Sequence, residues 1–398
     1  MSSLDSTLAV AVIGAGMAGR THANAWRQAG TVYDLTLPPV RLAAIADQYL
    51  PFAEDAAAHY GYERAVGDWR EIAEDPSIDV VSIVVGNALH REIAEAMAEA
   101  GKHVLCEKPL AGTLEDAAAM ADIEARLREQ VFATGFTFRR NPAVAMLARP
   151  VGQGDLGTVA HLEGRYWCDY GADAEVPISW RYEGPMGTGA LADVGSHLID
   201  TAELIGGPID SVSGAVLVRT IEQRPRPAGA ALGGRNVKGD MSQLVDVEND
   251  DVATFTAHFA SGAAGTFSCS RVAFGIPNAM TIDVLGTRGS AAWDLARGGE
   301  ILLADGSSPA GLGGLRQVLA NPEFPYFAGG SSMAFAGVGL NQIEQFTYQA
   351  HAFLQQVAGI DDGALPPCAS FADGYREMRI LDAVARSAAA DGQAVAIA

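Results

Sequence analysis

The sequence predicts an α/β protein. An N-terminal doubly wound parallel sheet is followed by an α+β portion with an open, mostly antiparallel sheet. Three observations predict this. An apolar run from Leu8 to Ile13 passes directly into Gly14, Gly16 and Gly19, then into a helical pattern with Arg20, His22 and Trp26. Apolar strand-like runs then alternate with helical stretches as far as Gly135. From Asn141 the pattern changes to long alternating strands and short turns.

The first element reads as strand, tight turn and helix N-terminus. Gly14 permits the sharp turn, Gly16 lets a pyrophosphate approach the backbone, and Gly19 lets helix and strand pack closely. The residues at the helix start, Gly16, Met17 and Ala18, offer unpaired N–H groups and a positive dipole end. Dinucleotide binding is the functional reading; a purely structural glycine turn is the alternative. After an irregular stretch from Gly30 to Pro39, Val40 to Ala46 reads as a buried second strand ending at Asp47. A carboxylate there can accept hydrogen bonds from an adenosine ribose and repels a 2′-phosphate. The next residue is Gln48, not Arg, so NAD is favoured over NADP. A solvated strand-end Asp is the alternative.

Next come a helix from about Pro51 to Tyr60, a short helix capped by Asp68, and a strand from Asp79 to Val85 that is mostly apolar, as suits a buried parallel strand. Gly86, Asn87 and His90 follow at its C-terminal end. A helix runs to Ala100 and Gly101 stops it. Lys102 to Cys106 is the next strand, leading into Glu107, Lys108 and Pro109. Thr113 with Asp116 opens another helix, and Val131 to Gly135 is the last strand of the series. Ligands of such sheets bind outside the strand C-termini. Gly14, Asp47, Asn87 and Lys108 all fall there. Lys108, restrained by the following proline, can polarise a substrate oxygen or, more blandly, pair with Glu107 at the surface.

The chain has 398 residues, enough for two domains with real cores. It is 49% hydrophobic and 19% charged, which is a globular composition. No apolar run reaches the ~20 residues that span a bilayer, and the N-terminus lacks the basic start of a secretory signal. A net charge of −21 argues against nucleic acid or an anionic membrane as partner. Four cysteines, none close in sequence, read as free thiols of a cytoplasmic protein.

In the second portion a short helix is expected from Pro142 to Ala148 and a long strand from Thr158 to Tyr170. A glycine-rich stretch then leads into one helix over 190–205, whose apolar stripe is Leu191, Val194, Leu198 and Ile199. Asp193 and His197 would share one face of that helix. A carboxylate beside an imidazole orients the ring and favours its protonated form, as a general base requires. The structural alternative is an N-cap Asp and a satisfied core histidine. No third ligand motif accompanies the pair, so no metal is expected. Residues 208–221 and 252–304 read as strands. Residues 222–241 read as a flexible loop, and 307–340, with Phe324, Tyr326, Phe327 and Phe335, as a long loop that could cover a cleft. Two helices close the chain, Gln342 to Val357 and Phe371 to Ala390.

Several runs together resemble one family. They are Gly14-Ala-Gly16-Met-Ala-Gly19, Asn87 with His90, Gly101-Lys-His-Val-Leu-Cys-Glu107-Lys108-Pro109, Phe138-Arg-Arg-Asn-Pro142 and Asp193-Val-Gly-Ser-His197-Leu-Ile-Asp200. The chain resembles the glucose–fructose oxidoreductase / inositol dehydrogenase / MocA-like (Gfo/Idh/MocA) family over nearly its whole length. It departs at Gly86, where many members carry Pro, and at Gly187-Thr-Gly189, where a triple glycine is commoner. The resemblance implies a Rossmann domain at 1–138 and a substrate-binding and oligomerisation domain at 139–398. It implies NAD-dependent oxidation of a secondary alcohol of a sugar or cyclitol, with Lys108, Asp193 and His197 catalytic. Asn87, His90, Glu107 and Lys108 would join the glycines and Asp47 around the coenzyme. Arg139, Tyr166, Trp180 and Arg181 are further candidates for substrate contacts. A homodimer or homotetramer through the second sheet is expected. Three alternatives stay open: an NAD-retaining glycosidase acting by transient oxidation and elimination, a non-catalytic sensor, and an imine or biliverdin-type reductase.

Overall fold

The computed structural model describes residues 7–33, 37–184, 187–228, 239–309, 311–326, 335–360 and 365–397. The chain forms two compact units. The first comprises residues 1–140, 325–334 and 341–376, the second 141–324, 335–340 and 377–398.

The first unit opens as β1 (Leu8–Ile13), α1 (Met17–Ala29), β2 (Val40–Ala46), α2 (Leu50–Tyr60), β3 (Arg64–Val66) and α3 (Arg70–Ala73). It continues with β4 (Val80–Ile83), α4 (His90–Glu99), β5 (His103–Cys106), α5 (Leu114–Arg126) and β6 (Phe132–Thr134). The six strands are parallel in the order β3-β2-β1-β4-β5-β6. The order reverses between β1 and β4, which is where ligands of doubly wound sheets sit. Both local start signals act as read: the Thr113 hydroxyl accepts from the Asp116 N–H at 3.1 Å, and the Asp68 carboxylate accepts from the Arg70 N–H at 3.0 Å.

The second unit begins with α6 (Pro142–Gly152) and β7 (Val159–Cys168), then α7 (Gly189–Asp193) and α8 (Gly195–Gly206). Strands β8 (Ile209–Val218), β9 (Gln223–Pro227), β10 (Gly239–Asp246), β11 (Val252–Phe259) and β12 (Ala264–Ser270) follow. Then come β13 (Asn278–Gly286), β14 (Ser290–Asp294), β15 (Glu300–Ala304) and β16 (Arg316–Leu319). The nine-stranded sheet has the order β16-β15-β14-β13-β7-β12-β11-β8-β17, with β17 at Val395–Ala396. It is antiparallel except for the β7–β12 pair. One face is buried through Leu162, Tyr166, Phe255, Phe267 and Ile282, and the helices cover it. Gly164 lets α8 approach, because a Cβ there would press on Leu198 and Phe267. The other face carries Glu163, Arg165, Thr254, Thr256 and His258 toward solvent.

Four expectations change. The helix expected over 190–205 is two, because Val194 turns the chain (φ −106°, ψ −30°) between α7 and α8. Asp193 and His197 therefore stand on consecutive helices instead of one face of a single helix. The stretch 222–241 is not simply a loop, since β9 and β10 pair as an antiparallel ribbon. Strand β16 emerges from the Gly-rich 307–340 segment to extend the large sheet by pairing with β15. Within these stretches, residues 229–238, 310 and 327–334, with Phe327, lie outside the described residues. Finally α9 (Gln342–Ala358), from the portion expected to form the second domain, packs in the first unit. Its Phe353 meets Trp26 of α1 edge to face, with ring centroids 6.0 Å apart. Helix α10 (Phe371–Ala389) follows.

Candidate active site

The three glycines divide their work by what surrounds them. Gly14 has φ +106°, and a Cβ there would collide with the Val84 carbonyl oxygen at the end of β4. A Cβ at Gly19 would collide with the Gly14 carbonyl oxygen, so α1 seats directly on the turn. At Gly16 a Cβ would meet nothing within 4 Å. Gly16 is also the N-cap of α1, with no side-chain cap and no acidic residue in the first turn. Open space before unoccupied first-turn amides fits a coenzyme pyrophosphate.

Asp47 stands at the end of β2, beside this turn. Its Oδ2 accepts from the Ala15 N–H at 2.8 Å and its Oδ1 from the Tyr49 N–H at 2.9 Å. Each oxygen keeps a second lone pair for a ribose hydroxyl. Gly86 takes φ −63°, ψ 133°, the polyproline-like conformation that a proline would hold, so the departure at this position preserves the backbone. Asn87 follows, buried in a short 3-10 turn. His90 is buried with its ring nitrogens 3.2 Å from the carbonyls of Leu110 and Val85, and burial pushes its pKa down. It braces the ends of β4 and β5. Glu107 and Lys108 emerge from β5, with a cis peptide before Pro109 and the Lys108 N–H 3.3 Å from Glu107 Oε2. Arg139 belongs to the first unit, where it lies 3.6 Å from Asp373 and over the Phe136 ring.

The second unit gathers Tyr166, Trp180, Arg181, Asp193 and His197. The Asp193 carboxylate accepts a 2.6 Å hydrogen bond from the Tyr170 hydroxyl and lies 3.6 Å from Arg181 Nε. Burial pushes the Tyr170 hydroxyl pKa up, and the Asp193 charge adds to it, so the phenol stays a donor. The Arg181 guanidinium stacks on Trp180, 4.4 Å from the ring centroid, and Trp180 is 38% exposed. His197 is 8% exposed, its ring centroid 6.1 Å from that of buried Tyr166.

Beneath these residues lies a buried polar scaffold that the sequence reading missed. Asn249, Asp250 and Asp251 lead into β11. The Asp250 carboxylate accepts from the Leu191 N–H at 2.8 Å and its carbonyl from the Ala190 N–H at 3.0 Å, so it caps α7. Gly189 (φ +85°) has no room for a Cβ beside Asp250. The fully buried Arg271–Asp251 pair is 2.8 Å apart. Arg271 and Asn249 both donate to the Arg181 carbonyl, at 2.9 and 3.0 Å. Two guanidinium groups stack on the Tyr182 ring, Arg224 at 4.1 Å and Arg271 at 4.4 Å from its centroid. The available signal was three consecutive polar residues opening an otherwise alternating strand.

Two family models match the chain. An oxidoreductase family with an NAD-binding Rossmann fold matches residues 8–135, and the GFO/IDH/MocA C-terminal domain matches 144–292. The chain belongs to the Gfo/Idh/MocA oxidoreductase family, whose fold and NAD dependence it shares. It is 37% identical over 385 residues to levoglucosan dehydrogenase of Pseudarthrobacter phenanthrenivorans, covering 96% of each chain. It is 30% identical over 285 residues to scyllo-inositol 2-dehydrogenase (NAD+) of Bacillus subtilis, covering 70% of this chain and 72% of that one. A structure of levoglucosan dehydrogenase in complex with NADH and levoglucosan superposes with a TM-score of 0.88 at 35% identity, covering 98% of this chain and all of that one. Among the described residues no helix is long and apolar enough to cross a membrane, and no group of residues is suited to a metal ion.

Proposed function

We propose that this protein is an NAD-dependent dehydrogenase that oxidises a secondary alcohol of a sugar, an anhydrosugar or a cyclitol to the ketone. Levoglucosan is the first substrate to try. The observation that carries this reading is the near full-length likeness to levoglucosan dehydrogenase, together with the presence of Lys108, Asp193 and His197 in the runs that resemble the family.

The chain's own residues have distinct tasks. The first-turn amides of α1 take the pyrophosphate, and Asp47 accepts from the adenosine ribose. Asn87 lines the coenzyme site at the end of β4. Bound NAD supplies the hydride acceptor. His197 takes the hydroxyl proton of the substrate at an imidazole nitrogen. Lys108 orients that hydroxyl and stabilises the oxygen as negative charge develops on it. Asp193, itself held by Tyr170 and Arg181, accepts from a neighbouring hydroxyl. Trp180 offers its exposed ring to the sugar face. The solvent-facing side of the large sheet is the surface through which copies associate as a dimer or tetramer.

The test is NADH appearance with levoglucosan, inositols, monosaccharides and sugar acids, with NADP in parallel. Turnover with NAD and one substrate class is the expected result. Preference for NADP overturns the role of Asp47. Silence across the panel with tightly co-purified NAD selects the glycosidase alternative.

A further inference from the structure

The coenzyme reading of α1 leaves its most polar buried side chain unexplained. His22 is 2% exposed, on the same face as Gly19 and Trp26. Its Nε2 is 2.9 Å from Glu107 Oε1, and its Nδ1 is 3.1 Å from Ser82 Oγ. The Trp26 indole N–H donates to the same Ser82 Oγ at 2.9 Å. A carboxylate only accepts, so the neutral ring meets Glu107 with Nε2–H, and Ser82, which accepts from the indole N–H, turns its own hydrogen toward Nδ1. Nδ1 is then the acceptor, and Nε2 carries the proton given to Glu107. The donation runs from Trp26 to Ser82, from Ser82 to His22 and from His22 to Glu107, and so joins α1, β4 and the end of β5.

The Glu107 carboxylate is housed for this purpose. A Cβ at Gly135 would collide with Glu107 Oε1, so glycine there makes the room. The other oxygen faces the Lys108 N–H. Phe346 of α9 backs the imidazole edge to face, with ring centroids 5.3 Å apart. A carboxylate withdrawn from water needs a partner in a fixed place, and the imidazole N–H provides one.

We propose that His22 is a positioning residue for the reaction. Its Nε2–H bond fixes Glu107, and with it the Lys108 backbone, relative to the helix that receives the coenzyme phosphates. The proposal rests on the role given above to Lys108.

The experiment compares wild type, His22→Gln, His22→Leu, Glu107→Gln and the double variant His22→Leu/Glu107→Gln. Glutamine places an amide N–H near the Nε2 position; leucine fills space and donates nothing. Turnover, KM values and NADH affinity by fluorescence titration are measured for each. His22→Leu should lower kcat about 10–100-fold, the scale of a misplaced reacting group, with little change in NADH affinity. His22→Gln should recover most of that loss. His22→Leu should cost little more once Glu107 is Gln. Equal kcat in the Leu and Gln variants, full additivity with Glu107→Gln, or parallel collapse of NADH affinity overturns the proposal. If His22→Leu does not fold, nitrogen-15 histidine spectra decide. An Nε2-protonated ring whose signal moves in Glu107→Gln supports the proposal, and an Nδ1-protonated ring overturns it. Lys108→Ala is assayed alongside: full turnover there defeats the Lys108 reading, while the tautomer is read independently of it.

Discussion

The two units prepare for chemistry in opposite ways. At the proposed coenzyme site, on the sheet edge of the first unit, the backbone supplies most of the binding groups. Gly14 and Gly19 shape a turn, Gly16 leaves it open, and the start of α1 presents N–H groups. In the second unit the candidate residues are side chains standing on other side chains. Asp193 is held by Tyr170 and Arg181, the Arg181 carbonyl is held by Asn249 and Arg271, and α7 is capped by Asp250. A backbone site fails when an added atom does not fit. A side-chain scaffold fails when a hydrogen bond is removed at a distance. The first kind is compact in sequence, and the second draws together residues from 170 to 271.

Five substitutions would break or sharpen this contrast. The largest loss is expected for His197→Ala, where turnover should fall about 10²–10⁴-fold as befits loss of a general base, with NADH affinity retained. A variant with full turnover would remove His197 from the reaction. Gly19→Ala and Gly16→Ala separate fit from folding. The first drives a methyl into a carbonyl and should lower both melting temperature and NADH affinity. The second leaves melting temperature unchanged and should weaken NADH at least about tenfold, because its methyl would meet only the coenzyme. Equal losses of stability would show that Gly16 is structural.

Tyr170→Phe removes one hydrogen bond to a carboxylate, worth about 1.5–3 kcal/mol. It should lower kcat/KM for the sugar about tenfold and leave NADH affinity alone; a change confined to NADH would place Asp193 outside the sugar site. The smallest effect on the reaction belongs to Asp250. Burial raises its carboxyl to about 6. Between about pH 4 and 6 the folded chain therefore holds a proton that the unfolded chain has released. The resulting stabilisation is complete below about pH 4 and is lost as pH rises through about 6. Asp250→Asn cannot ionise and should lack that decline, which is about 3 kcal/mol in denaturant unfolding. Parallel pH profiles for the two proteins would show that Asp250 titrates normally.

The same contrast explains what could be read in advance. Strand ends, the glycine turn and Asp47 are legible because each lies within a few residues of the element that places it. The docking of α9 on α1 is not, since helical periodicity tells which side is buried and not against what. The β9–β10 ribbon was hidden by Pro225 and Pro227, which cannot donate to a ladder and so read as loop. The break at Val194 has no proline to announce it, only the flanking Asp193 and Gly195. The Asn249–Asp251 run and Arg271 look like surface residues until tertiary partners take their hydrogen bonds, and their burial is fixed by residues far away in sequence.

The central place of β7 bears on how the protein is made. It is the first strand of its sheet to leave the ribosome, yet both neighbours, β12 and β13, are encoded after residue 263. At the usual ~5–20 residues per second, both edges of β7 stay bare for on the order of ten seconds. Non-local pairing of this kind is slow to form and exposes strand edges to other nascent chains. Each polysome thus displays several copies of the same unpaired strand at once. Yield during expression should therefore depend on translation speed and chaperone supply more than on the stability of the finished fold.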